Sequence, residues 1–167
     1  MRIAPMTPQA QRGMALLVSL VFLLVLTLIG LSSMQSATLQ EKMASSVILR
    51  NQSFQGAEAA LRVGESAVQM DTYSLPVCSG TSQCAPPAEA SVITAAGFNS
   101  TSGVAWIASG SGFYGVQNIG TTLTAVNVPS NTSTTLYRVT AVGIAGNSRS
   151  VVAVSYTHLT LPTIYSV

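Results

Sequence analysis

The sequence predicts an α+β protein in which one long N-terminal helix packs on a small antiparallel sheet, and three observations carry that expectation. An almost unbroken apolar stretch runs from Ala15 to Leu31, and about 20 apolar residues are enough for a helix to cross a bilayer. Behind it a helical period persists, with Val47, Phe54, Leu61 and Val68 recurring every seven positions. From Pro86 onward the pattern changes to short apolar runs broken by Gly, Ser and Asn, as strands and turns require.

The first element is a basic leader over residues 1–13. Arg2 and Arg12 are the only charges ahead of the apolar stretch and Lys42 is the first cation after it, which the positive-inside rule reads as an N-terminus in the cytoplasm and a remainder outside. A secretory signal peptide has a shorter core of about 7–15 residues with its cleavage site behind. Here the core runs from Met14 into Leu31 and continues as helix, so Gly13 stands before it. Residues 14–31 are thus read as the membrane part of the helix and residues 32–70 as its continuation outside.

On that continuation Ala57 and Gly64 are interleaved with the Val47, Phe54, Leu61 and Val68 stripe, and this stripe is expected to receive a sheet closely. Glu58, Arg62 and Glu65 lie opposite and read as a solvated face; pairing of Glu58 with Arg62 would contribute only a few tenths of a kcal/mol. Asp71, Tyr73, Ser74 and Pro76 end the helical pattern. Strands are predicted at Ser91–Thr94, Val104–Ile107 and Gly112–Val116, and a hairpin joins Thr135–Val142 through Gly143–Asn147 to Ser150–Ala153.

The charges exclude some functions. Lys42, Arg50, Arg62, Arg138 and Arg149 are balanced by Glu41, Glu58, Glu65, Asp71 and Glu89, so the net charge of +2 comes from Arg2 and Arg12. A side-chain surface of that kind offers no basic face for nucleic acid. No catalytic constellation is visible: the serines lack a His base or a Gly-x-Ser-x-Gly elbow, and Glu65, Asp71 and Glu89 are not set in a recognisable cleft. Trp106, Phe113 and Tyr114 read as core. The expectation is a protein that is no enzyme and holds no cofactor.

The junction Gln11-Arg12-Gly13-Met14, the run Ser32 to Ala44 and the run Phe54-Gln55-Gly56-Ala57-Glu58-Ala59-Ala60-Leu61-Arg62 together resemble the type IV pilin superfamily, specifically minor pilins of the PilX type. Tyr137 to Gly143 looks like that family's closing strand. The resemblance implies a pilin-like fold, cleavage after Gly13 by a prepilin peptidase, and N-methylation of Met14. It implies an inner-membrane protein with a periplasmic head, with other minor pilins and the major pilin as partners. Most pilins carry Glu at the fifth mature position, and this chain has Val18 there. That loss resembles the K-type pseudopilins and suggests a tip or initiation role; the plainer reading is tolerance of an apolar residue in an apolar helix. The alternatives are a pseudopilin of a type II secretion system and, in a different class, a signal-peptide-bearing secreted enzyme or adhesin, whose mature chain would begin after Leu31.

In an oxidising periplasm Cys78 and Cys84 are expected to pair, closing a short loop in the globular head, residues 71–153. A metal site would need more ligands, and a redox motif would want two intervening residues rather than five. Within residues 154–167, Val154–Thr163 read as a translation of GTC TCT TAT ACA CAT CTG ACG CTG CCG ACG, which resembles the transposon-end adapter of sequencing libraries, Ile164–Ser166 fit a short index, and Val167 fits the adapter beyond it. They are expected to be non-native, with the native chain continuing past Ala153. That reading removes His158, the single histidine, from functional consideration, and leaves the sheet either without its last strand or completed by foreign residues.

Overall fold

The computed structural model describes residues 12–70, 72–125, 128–129 and 131–158. The leader as far as Gln11, the helix-ending Asp71 and residues 159–167 lie outside them. Helix α1 runs Arg12–Val68, a short helix α2 occupies Gly80–Cys84, and a single 3₁₀ turn covers Ala88–Ser91. Five strands follow: β1 (Gly97–Asn99), β2 (Val104–Ser109), β3 (Gly112–Thr122), β4 (Thr134–Ala145) and β5 (Ser148–His158). The chain divides into two compact units, one ending at Ser45 and one beginning at Ser46.

In the first unit every described side chain is exposed. The helix there is apolar and long enough to cross a membrane, and it manages its few hydroxyls internally. Ser19 donates to the Leu16 carbonyl and Thr27 to the Leu24 carbonyl, each at 2.8 Å. In a medium without water, a polar group must find its partner within the segment.

In the second unit the five strands form one antiparallel sheet in the order β1-β2-β3-β4-β5. The β4–β5 hairpin pairs from Ala145 with Ser148 to Thr135 with His158 without a slip. Its turn is tight because Gly146 adopts φ +53, a conformation that costs glycine little. Gly143, expected in this turn, is instead inside β4, where it pairs with Gly112 and Ser150. The segment Ser91–Thr94 forms no strand; it leaves the 3₁₀ turn, and Glu89 accepts the amides of both Val92 and Ile93. The first strand of the expected set is thus replaced by β1, a three-residue edge. β5 continues through Val154–His158, so the residues read as foreign complete the strand; ladder hydrogen bonds come from backbone and accept any sequence compatible with the pleat.

Residues 46–68 of α1 pack on one face of the sheet, but not through the heptad stripe. Val47 is 55 % and Phe54 46 % exposed, and Leu61 is partly buried; of the four only Val68 is fully enclosed. The buried face is Ser53, Ala57, Ala60, Gly64 and Val68. Its small side chains let the backbones approach, which a face of Val and Phe would prevent. A β-carbon on Gly64 would lie 2.6 Å from Val139 Cγ1 and 2.9 Å from Tyr114 Cδ2. Under α1 the core consists of Ala60, Val68, Tyr114, Val116, Tyr137, Val139 and Ala141, and a second cluster of Ala90, Val104, Trp106 and Val142 fills the opposite face.

Candidate functional site

The features that bear on function fall in three places. In the first unit, Gly13 lies in the backbone of α1 just ahead of Met14, which is exposed. Val18 is also exposed, and with Met14 and Phe22 it lines a shallow apolar hollow along the helix. From Met14 to Gln40 there is no Asp, Glu, Lys or Arg, so this surface is uncharged over its whole length.

In the second unit, Cys78 and Cys84 are joined by a disulfide with their Cα atoms 5.2 Å apart. The loop that it closes is held to the sheet by polar side chains that the sequence reading did not single out. Arg138 donates to the Cys84 carbonyl at 2.8 Å, and Gln117 donates to the Gln83 and Ala85 carbonyls at 2.6 and 3.1 Å. Asn118 donates to the Leu75 carbonyl at 2.8 Å, and its own carbonyl accepts the Cys78 amide. Loop carbonyls that face a sheet must be satisfied, and these three residues do it. Their signal in the sequence was polar residues set within otherwise apolar strand segments, Gln117-Asn118 between Val116 and Ile119 and Arg138 between Tyr137 and Val139.

Nearby, Glu89 accepts from Trp106 Nε1 at 3.2 Å and from Ser102 Oγ, which ties the 3₁₀ turn to β2. Tyr73 stacks edge-on against Tyr137 with ring centres 5.6 Å apart. Burial, together with Tyr114 and Tyr137 alongside, pushes its pKa up to about 12.

The third place is an apolar hollow of about 500 Å³ bordered by the segment after α1 and by residues of β1, β2 and β3. Tyr73, Leu75, Val77, Phe98, Ile107 and Tyr114 are among its lining residues, none of which is charged. Among the described residues no group of His, Cys, Asp and Glu is placed to hold a metal ion. Glu58 and Arg62 are both exposed.

A long apolar helix whose C-terminal part packs on a five-stranded antiparallel sheet, with a disulfide loop beside it, defines a pilin-like fold. Residues 12–62 match the family model described as PilX N-terminal, so over its N-terminal helix this chain is similar to a PilX-type pilin. No curated protein and no solved structure matches the chain. The match supports a pilin-like role, and α1 is long and apolar enough to cross a membrane.

Proposed function

We propose that this protein is a minor pilin that acts in the tip or initiation complex of a type IV pilus. The observation that carries the reading is Val18. At the fifth position after the Gly13–Met14 junction, the usual pilin pattern places a carboxylate that meets the N-terminal amine of a neighbouring subunit. An ionised carboxylate in an apolar medium is costly unless it is paired. A subunit with no neighbour ahead of it would hold that group unpaired, and valine removes the cost. The same loss in K-type pseudopilins keeps a secretion pseudopilin as the second reading.

Cleavage after Gly13 and methylation of Met14 belong to this proposal, as do a cytoplasmic N-terminus, a head in the periplasm, and minor and major pilins as partners. Division into a leader (1–13), membrane helix (14–31), outer helix (32–70) and head (71–153) follows from it. Quantitative labelling of sheared filaments tests the position: the expected result is a few copies at one end. Label spaced along the shaft in amounts near those of the major subunit rules the tip model out. Mass spectrometry of the mature N-terminal peptide tests the processing, and Gly13→Arg is expected to leave an uncleaved precursor.

A further inference from the structure

Glu89 is held in place by hydrogen bonds to the sheet and not by a cation. Its Oε1 accepts from Ser102 Oγ and from Trp106 Nε1, so the side chain is fixed from two directions. Its Oε2 has no hydrogen-bond partner among the described residues. Thr140 Oγ1 is the single enclosed side-chain oxygen or nitrogen without a partner among those residues, and Glu89 is only partly buried, so Oε2 is open to solvent. No Lys or Arg of the described residues makes an ion pair with it. Arg149, on the same side of the sheet, donates instead to the Ala90 and Ile93 carbonyls.

The carboxylate lines a hollow of about 240 Å³ together with Ile93, Phe98, Asn99 and Trp106, which is room for roughly eight waters by liquid volume. Glu89 is its one charged lining residue, and no lining residue lies beyond Trp106 in the chain. The Asn99 side-chain oxygen is occupied by the Thr101 and Ser102 amides, so the free acceptor among these side chains is Glu89 Oε2. Trp106 is 3 % exposed and Phe98 70 %; one ring is part of the wall and the other stands open to solvent. A carboxylate beside aromatic rings suits an ammonium group. The ring face attracts a cation within about 6 Å, and a partly buried pair is screened less than one on an open surface.

We propose that this hollow binds a primary ammonium group on a short alkyl stem, with Glu89 Oε2 as its counter-ion and Trp106 and Phe98 beside the stem. The two donors on Oε1 hold the carboxylate ahead of binding, so little rotamer freedom is lost when the cation arrives. Glu89 repels an anion, and a neutral alcohol of the same shape gains no charge contact. The ammonium comes from a free amine or from a lysine side chain of another polypeptide. This inference does not rest on the tip reading, since it concerns the head alone.

The test uses the full chain in non-ionic detergent micelles and follows the indole N–H resonance of Trp106, the single tryptophan, by NMR. Butylammonium chloride, titrated against sodium chloride of equal concentration, is expected to shift that resonance saturably, and butanol to leave it in place. Glu89→Gln keeps an acceptor oxygen for Ser102 and Trp106 but removes the charge, and should weaken butylammonium at least five-fold. Phe98→Ser, at an exposed position, is a second variant that should weaken it as well, and unchanged circular dichroism confirms that both fold. A blocked pentapeptide Gly-Thr-Lys-Thr-Gly separates the two sources: binding tighter than that of butylammonium assigns a lysine side chain, and equal or weaker binding a free amine. Absence of a saturable shift, an equal shift with sodium chloride or butanol, or undiminished binding in Glu89→Gln or in Phe98→Ser overturns the proposal.

Discussion

Gly143 on β4 passes so close beneath Ser53 on α1 that a β-carbon there would overlap the Ser53 carbonyl and the Ala57 amide. The contact is backbone to backbone, so neither side can rotate out of the way. Around it Ser53, itself fully buried, has its hydroxyl 2.8 Å from that of Ser150 and 3.2 Å from that of Ser148. The helix is thus joined to β5 by hydroxyls and seated on β4 by an absent side chain.

Gly143→Ala should therefore act as overpacking, which costs roughly 1–3 kcal/mol. Denaturant unfolding of the full chain in micelles, followed by Trp106 fluorescence, measures it. A loss below about 0.5 kcal/mol would mean that α1 can lift from the sheet at no cost.

The helix face gives the next contrast. Val68→Ala removes a fully enclosed side chain and should cost about 2 kcal/mol. Phe54→Ala, at an exposed site, should stay within about 1 kcal/mol despite removing more atoms. The reverse order in the same unfolding assay would place the seven-residue stripe in the core after all.

That contrast also shows what could be read from the residues alone. The long helix, its apolar first half and the β-rich head were legible because they depend on period and length. The contact face was not, because burial there follows small side-chain size and not apolar size. Where Gly64 and Gly143 bring backbones together, the buried residues are Ser53, Ala57 and Ala60, and the larger Phe54 and Val47 stand aside. The hairpin was legible from Thr135 to Ala153, whereas β1 was not, since three residues carry too little pattern. The latches Arg138, Gln117 and Asn118 show only as polar residues within strands, and their roles were not legible because their carbonyl partners lie more than 30 positions away in the chain.

The disulfide closes a loop that these latches already hold. Cys78→Ser should cost about 2 kcal/mol by the chain-entropy model, with Cys84→Ser equal to it within error. A double variant no worse than either single one confirms that the loss is that of the bond. Intact mass before and after reduction should differ by two hydrogens, and thiols that react with an alkylating reagent without reductant would contradict the pairing.

Tyr73 sets an alkaline limit. Its pKa is raised to about 12, by burial first and then by Tyr114 and Tyr137, whereas an unfolded tyrosine titrates near 10. The raised value means that the folded state keeps a proton that the unfolded state loses. Its contribution is thus complete below about pH 10 and is lost as pH rises toward 12. Absorbance at the phenolate band should show a late-titrating component that Tyr73→Phe removes, and the same variant should flatten the fall in stability over that window. A titration of Tyr73 near 10 in the folded chain would refute its burial against Tyr137.

Val18 offers the last test, because it separates a first-in-line subunit from one within the shaft. Val18→Glu restores the carboxylate that the usual pattern has at this position. In a shaft subunit it would find the amine of the neighbour ahead and be neutral or favourable. In a subunit with nothing ahead it would remain unpaired in an apolar medium, at a cost of several kcal/mol. The proposed tip role therefore predicts that Val18→Glu lowers the number of pili several-fold while the surviving filaments keep normal length. Val18→Leu should have no effect, and Val18→Gln, polar but uncharged, should fall between. Counts of filaments per cell and their lengths by electron microscopy decide it, with immunoblots confirming equal amounts of each variant in the membrane. Wild-type numbers of pili in Val18→Glu would remove the argument that the missing carboxylate marks a tip subunit, and Val18 would then be one apolar residue among many in the helix.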